Sequence, residues 1–379
     1  MLYRDFQGLR LSALGFGAMR LPCVEGGDTE PDQAAVDEMV DYALGQGVNY
    51  FDTAWGYHGG RSEVVIGRSL ARHPRDAYFL ADKFPGYDLA NMGKVEEIFE
   101  EQLRKTGAGH VDFYLFHNVC EKNVDEYLNP ANGILDYLLG QKRAGRIRHL
   151  GFSAHGDLPC LTRFLDACGE HMEFCQLQIN YLDWEFQNAR GKVELMRSRG
   201  IPVWVMEPVR GGKLTQLSEE NAALLAEARP DESPAAWAFR FVQGIPEVVV
   251  TLSGMSNLEQ LCQNVATFSE ERPLGERDRA ALARVVGNML GRHTAPCTAC
   301  RYCTDHCPKG LDIPKLLELY NEAMVTGGDG GFIPSMYVST LPEDKRPDAC
   351  VGCGSCAAVC PQRIDIPGSL ADFASRLAG

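Results

Sequence analysis

The sequence predicts an α/β protein, a (β/α)8 TIM barrel followed by a small, mainly helical domain. Three observations carry that prediction. Over roughly the first 275 residues, eight short apolar runs alternate with amphipathic stretches of helical period. Polar residues recur at the C-terminal ends of those runs, which is where a barrel places its chemistry. Beyond that point the alternation stops and two tight groups of cysteines appear.

The eight strand candidates are LSALGFGAM (11–19), VNYFDTA (48–54), AYFLADKF (77–84), VDFYLFHNV (111–119), IRHLGFSAH (147–155), FCQLQINY (174–181), IPVWVMEPV (201–209) and VVVTLSGM (248–255). Several are apolar throughout, as parallel strands buried on both faces are. Helical patterns cover 31–47, 61–72, 94–107, 134–145, 158–169, 193–200, 233–244 and 257–268. Several of them end in glycine, which accepts the left-handed backbone that stops a helix. A doubly wound sheet fits the same alternation. No G-x-G-x-x-G follows the first strand, however, and Gly15-Phe16-Gly17 is too short a match to stand for one. The barrel is therefore assigned to residues 1–275 and the second domain to 276–379. There, a charged helix (275–291) leads into the first cysteine group, and a second helix (313–325) follows. Then come a glycine-rich loop, TGGDGGF (326–332), a short extended stretch and the second cysteine group.

Composition narrows the function. The chain has 379 residues, 45% hydrophobic and 23% charged, which suits an ordinary globular protein with a sizeable core. Its net charge is −14, with no basic patch, so nucleic acid and anionic membrane are not expected partners. The N-terminal segment has no signal-peptide pattern, and no stretch approaches eighteen consecutive apolar residues. A cytoplasmic location is expected. Of the fourteen cysteines, eight lie beyond residue 296, and the other six are scattered as small buried hydrophobes would be.

The clustered cysteines carry the strongest signal. The first group is Cys297, Cys300, Cys303 and Cys307; the second is Cys350, Cys353, Cys356 and Cys360. Both read C-x2-C-x2-C-x3-C-P, the bacterial ferredoxin run, in which the fourth cysteine ligates the other cluster. One 4Fe-4S cluster is thus assigned to Cys297, Cys300, Cys303 and Cys360, and the other to Cys350, Cys353, Cys356 and Cys307. Zinc sites use C-x2-C pairs, but not four cysteines per run with a trailing proline. The wide separation of the runs, the helix after each, and the Ile-Pro pairs 313–314 and 366–367 resemble the α-helical ferredoxin type.

In the barrel, Asp52, Tyr57, Lys83 and His117 fall near the ends of three successive strands. A carbonyl reduced by hydride gains negative charge on oxygen and must be protonated. Tyrosine is a weak acid at neutral pH, and an adjacent lysine cation lowers its pKa. A carboxylate anchors the lysine, and a histidine can orient the carbonyl by a hydrogen bond. Tyr57, Lys83, Asp52 and His117 suit those roles in turn.

The segment FDTAWGY, with Lys83, the Phe116-His117 pair and the opening GLRLSALGFGAMRLP, resembles the aldo-keto reductase family over about residues 1–270. With the cysteine runs, the whole chain resembles an aldo-keto reductase fused to a two-cluster ferredoxin domain. The resemblance implies a (β/α)8 barrel, a nicotinamide cofactor, and Tyr57 as general acid supported by Lys83, Asp52 and His117. It also implies cofactor contacts at Ser153, Gln176, Ser253, Gly254, Asn257 and Asn264. Three departures bear on NAD(P)H. Ala154 replaces the asparagine of the family's Ser-Asn pair, and Met206 stands where an aromatic ring usually lies under the nicotinamide. The cations that clasp the 2′-phosphate of NADPH are missing between Ser253 and Gln260, so no NADPH preference is expected. Arg210 or Lys213 are the cations that could replace them, and His58 and His155 are further polar groups near the mouth.

A small carbonyl or alcohol is the expected substrate. Hydride carries two electrons and each cluster passes one, which leaves several arrangements open. The clusters can be a structural or redox-sensing module beside an autonomous reductase. They can connect the barrel to an external electron-transfer protein. The barrel can hold a flavin instead of a nicotinamide. A non-enzymatic electron carrier or redox sensor is the remaining alternative, and the intact tetrad argues against it.

Overall fold

The computed structural model describes residues 1–25, 27, 29–291, 294–297, 300–326 and 331–378. Two compact units divide the chain, Met1–Arg279 and Ala280–Gly379.

The first unit opens with a hairpin, β1 (Tyr3–Phe6) and β2 (Leu9–Ser12), turning through Gln7 and Gly8, both at positive φ. That backbone is the two-residue turn whose twist matches its strands. Eight strands then close a parallel barrel: β3 (Leu14–Gly17), β4 (Tyr50–Asp52), β5 (Phe79–Phe84), β6 (Val111–Val119), β7 (Ile147–Ala154), β8 (Cys175–Gln178), β9 (Val203–Met206) and β10 (Val248–Ser253). The barrel closes where β10 pairs with β3, Thr251 opposite Leu14. Each of the eight predicted runs contains one of these strands.

The first run is split, however. Leu11 and Ser12 belong to the hairpin, and only Leu14–Gly17 joins the barrel. Ser12 causes the break: its Oγ donates to Leu14 O at 2.7 Å, and its backbone N–H donates to Asn49 Oδ1 at 2.8 Å. Gly15 gives this strand room, because a Cβ there would sit 2.7 Å from the Leu252 side chain and force it to shift.

Inside the barrel, Tyr50, Phe113, Phe174, Trp204, Val250 and Leu252 pack with Phe6 and Leu11 of the hairpin. The Phe6 ring stands edge-on to Trp204 at 5.0 Å, so the hairpin contributes to the same apolar filling. A larger apolar layer lies between the strands and the surrounding helices. All eight predicted barrel helices form, with the short helices Val124–Leu128 and Asp183–Phe186 and a longer one, Glu219–Ala228, capped by Ser218. Its alanine-rich pattern carries little periodic apolar signal.

In the second unit, helices Ile313–Thr326, Phe332–Thr340 and Ile366–Ala378 follow the helix Glu276–Gly291, which runs across the division. The stretch after the glycine-rich loop is therefore helical, not extended. Its β-branched residues read as strand, but Val338 is buried with Leu319, Ala323 and Phe373, and that packing overrides propensity. Pro334 falls in the first turn, where a missing N–H is tolerated. The loop itself lies mostly outside the described residues. Among the described residues, no helix is long and apolar enough to cross a membrane.

Candidate active site and cluster sites

Asp52 ends β4, Lys83 lies near the end of β5, and His117 is on β6, so adjacent strands bring the three to one barrel mouth. Tyr57 comes from the turn Tyr57–Gly60, which is bent by positive φ at His58, Gly59 and Gly60. His58 Nε2 accepts the backbone N–H of Leu21 at 3.0 Å, which holds that turn to the loop after β3. His58 is thus engaged in positioning Tyr57, and its ring is not left to contact a substrate.

Lys83 is fully buried. Its Nζ donates to Asp52 Oδ1 at 2.5 Å, to Thr53 O at 2.8 Å and to Tyr57 Oη at 3.3 Å. Burial disfavours its charged form, but Asp52 and Tyr57 outweigh that and hold its pKa above the ordinary lysine value. Burial raises the Asp52 carboxyl, and Lys83 opposes it. Burial also raises Tyr57, with Lys83 pulling the other way. The net direction reverses the expected lowering of the phenol, because desolvation of a buried phenolate exceeds the attraction of a lysine already paired with Asp52. His117 is pushed well below its ordinary value, first by burial and then by Lys83, and is neutral at pH 7. The Tyr57 and Tyr87 rings stand edge-on to His117 at 6.1 and 5.2 Å.

Among the described residues, the polar atoms around this mouth that are buried without a partner include His117 Nδ1, Gln176 Oε1 and Asp52 Oδ2. Such groups are costly unless something binds them. Ser153, by contrast, accepts the Asn118 N–H at 2.8 Å. Ser253 and Asn264 are buried and bonded to each other at 3.0 Å. Asn257 caps the helix Leu258–Thr267 through Gln260 N–H, and Gln260 Oε1 takes the Ser256 N–H at 2.8 Å. Arg210 is buried, with its Nε 3.1 Å from both Asp183 oxygens, so its charge is already balanced. His155 is pushed down to about 4, first by burial and then by Lys192.

The sequence did not single out Arg20. Its stem packs against Gly254, where a Cβ would lie 3.2 Å from it, and its guanidinium is 3.6 Å from Glu207 at the end of β9. Its position just after the first barrel strand was the available signal. Tyr87, just after β5, is likewise part of the mouth and was not singled out.

In the second unit, two small hollows are ringed by thiols. One is lined by Cys297, Cys300, Cys303 and Cys360, the other by Cys307, Cys350, Cys353 and Cys356. Each draws its fourth cysteine from the other run. Apolar residues line much of the rest, including Pro314, Leu317, Ile364 and Ile366 around the first, with Arg301, Tyr302 and Gln362, and Leu311, Ile313, Pro367 and Leu370 around the second, with Lys309. Among the described residues, no three His, Cys, Asp or Glu side chains converge as on a single ion. Four thiols spaced around an apolar void fit a multi-atom cluster. The backbone N–H and hydroxyl of Ser355 favour the thiolate of Cys353 and hold its thiol below the usual value. Burial raises Cys303 to about 11 and also raises Cys356.

The model for the aldo/keto reductase family matches residues 13–286, nearly the whole barrel. This chain belongs to the aldo/keto reductase family. The model for a 4Fe-4S dicluster domain matches residues 296–364 of this aldo/keto reductase, spanning all eight clustered cysteines. It is 26% identical over 302 residues to L-galactose dehydrogenase of Arabidopsis thaliana, covering 73% of this chain and 90% of the relative. It is 27% identical over 224 residues to the NADH-specific methylglyoxal reductase of Escherichia coli (strain K12), covering 55% and 66%. The aldo-keto reductase AKR11C1 from Bacillus halodurans, in its holo form, shares the fold, with a TM-score of 0.61 and 24% identity over 75% of this chain and 96% of that one. This aldo/keto reductase is an oxidoreductase that carries an iron–sulfur dicluster domain.

Proposed function

We propose that the barrel reduces a small carbonyl compound, or oxidises the corresponding alcohol, with a nicotinamide cofactor, and that the second unit holds two 4Fe-4S clusters. The observation that carries the reading is the buried Lys83, bonded at once to Asp52, Thr53 O and Tyr57, beside the unsatisfied Gln176 Oε1 and His117 Nδ1. A bound nicotinamide supplies the hydride for reduction or accepts it in oxidation. Gln176 Oε1, buried without a partner, would accept the carboxamide N–H₂ of that ring. Tyr57 holds the proton at Oη and delivers it to the carbonyl oxygen. Lys83 stays charged and stabilises the phenolate left behind, and Asp52 keeps Lys83 in place. Neutral His117 donates one ring N–H to the carbonyl oxygen and orients it.

The cofactor contacts support no NADPH advantage. Asn257 and Gln260 close the first turn of the helix that follows β10, and Arg210 is held by Asp183. The eight cysteines would hold the clusters in crossed sets, Cys297, Cys300, Cys303 and Cys360 in one, and Cys350, Cys353, Cys356 and Cys307 in the other. Clusters held there would supply one-electron transfer.

The test is to titrate the anaerobic holoprotein with NADH, NADPH and FMN by calorimetry and then assay methylglyoxal and L-galactose with the nucleotide that binds. NADH binding with turnover that Tyr57→Phe abolishes is the expected outcome. FMN binding in place of both nicotinamides, or turnover indifferent to Tyr57→Phe, overturns it.

A further inference from the structure

A second set of buried polar groups lies behind Lys83, between the barrel strands and the helices. Side chains alternate along a strand, so Lys83 faces the mouth and its neighbour Asp82 faces the helices. Asp82, Glu63 and Gln102 are all buried. The Gln102 amide shares its two N–H bonds among Asp82 Oδ1 at 2.8 Å, Lys83 O at 3.0 Å and Glu63 Oε1 at 3.0 Å. Gln102 Oε1 accepts the Tyr114 hydroxyl at 2.6 Å. Asp82 Oδ1 also accepts the Lys83 N–H, at 2.8 Å. Both backbone polar groups of Lys83 are therefore bonded to side chains of this set.

Helix packing brings these groups together. Glu63 and Gly67 are one turn apart on the helix Ser62–Leu70, and Gln102 and Thr106 are one turn apart on the helix Val95–Thr106. A Cβ at Gly67 would collide with the Thr106 backbone, so the glycine lets the helices touch and sets Glu63 against Gln102. The other Glu63 oxygen, Oε2, accepts from Lys105 Nζ at 2.7 Å. Lys105 Nζ in turn lies over the Trp55 ring, 3.8 Å from its centroid. A Cβ at Gly60 would be 3.7 Å from the same ammonium. Lys105 thus borders both ends of the segment that carries Tyr57.

Buried charges of this kind are a poor source of stability, since apolar side chains of similar volume do as well or better. What they provide is fixed geometry. Glu63 is the hub: through Gln102 it reaches the backbone of Lys83, and through Lys105 it reaches the segment of Tyr57. Of the three bonds made by Lys83 Nζ, the one to Tyr57 Oη is the longest, at 3.3 Å, and the first to fail if either end moves. On the proposed reading that Tyr57 delivers the proton with Lys83 beside it, we infer that Glu63, Gln102 and Lys105 are positioning residues that hold Tyr57 Oη against Lys83 Nζ from outside the barrel.

The experiment measures NADH-dependent reduction of methylglyoxal by the full-length holoprotein and its variants. Tyr57→Phe is the control for the reading itself. No turnover in the wild type, or turnover indifferent to Tyr57→Phe, counts against proton delivery by Tyr57 and overturns this inference with it. With that control passed, Gln102→Met, similar in size but unable to donate, should lower kcat about ten- to hundredfold, with KM for methylglyoxal and the calorimetric Kd for NADH unchanged. Lys105→Met should do the same, and Lys105→Arg, which keeps the charge over Trp55, should restore kcat to within about threefold of the wild type. The Lys105 side chain is partly exposed, so its two variants decide the matter if Gln102→Met does not fold. Wild-type kcat in the folded Met variants, or a loss in Lys105→Met that Lys105→Arg does not restore, overturns the inference while the proton-delivery reading stands.

Discussion

At the barrel mouth the polar groups are fixed by the protein alone. Lys83 is enclosed by Asp52, Thr53 and Tyr57, each on a strand or turn packed by a large apolar core. In the second unit the eight thiols face cavities, and the apolar cluster beside them is small: Ala295, Leu311, Ile313, Leu316, Leu317, Ile364, Ile366 and Leu370, with Cys303 and Cys356. The first site is organised by folding, so its chemistry is ready before any ligand arrives. For the second, thiolate bonds to bound iron are expected to add to the folding energy of its smaller core.

That contrast is open to test, and the largest effect belongs to the barrel. Tyr57→Phe should cost about a hundred- to ten-thousandfold in kcat while nucleotide affinity is kept. Lys83→Met should lose similar activity and also about 3–5 kcal/mol of stability, since Asp52 is left buried without its partner; chemical denaturation measures the second part. Equal stability of Lys83→Met and wild type would show that the mouth is not held by this ion pair.

Stripping the iron sharpens the contrast from the other side. Hydrogen exchange should show helices Ile313–Thr326 and Ile366–Ala378 losing protection, by several kcal/mol, while β3 to β10 keep theirs. An unchanged second unit would mean that its apolar core suffices. A narrower cut is Cys307→Ala. It should remove the cluster ringed by Cys350, Cys353 and Cys356, leaving about half the iron, with the cluster of its own run intact.

Acid should act on the barrel through its neutral histidines. The folded-state pKa values of His117 and His155 lie below the unfolded value of about 6.5. As pH falls below 6.5, the unfolded chain binds protons that the folded chain does not, so stability declines. For His155 the decline runs until the folded value near 4 is reached. Each histidine contributes about 1.4 kcal/mol per pH unit in its window. Glu173 adds a later loss, because Lys142 and His149 hold it down near 2 against the effect of burial, and stability present above about pH 4.5 disappears toward that value. Urea midpoints between pH 7 and 4 measure the first window, and His155→Gln should flatten it.

The smallest effect expected is the ratio of NADPH to NADH affinity, within about threefold, since a charge-assisted phosphate bond worth about 1.5–3 kcal/mol is not on offer. A hundredfold preference for NADPH would point to Lys213, which is exposed in the loop after β9.

Much of both sites was legible in the chain. Continuous apolar runs and period-3.6 patterns located every barrel strand and its helix, because a parallel barrel buries its strands on both faces. The tetrad was legible because its members sit near strand ends, where strand order dictates neighbourhood. The β1–β2 hairpin was not separable from the first run, since the break at Ser12 depends on a hydrogen bond to Asn49, remote in sequence. The helix Phe332–Thr340 was misread because its local propensity is that of a strand.

The sequence alone determined the eight-strand alternation, the two cysteine runs and the residues put forward as the tetrad, all of which are matters of spacing and residue type. Only the tertiary structure decided how those groups are balanced. Burial raises Tyr57 where the neighbouring lysine alone would lower it, and His58 is spent on holding the turn. Arg210 is cancelled by Asp183, and Ser253 and Asn264 satisfy each other. Desolvation and pairing depend on which distant segments meet, and no local pattern encodes that.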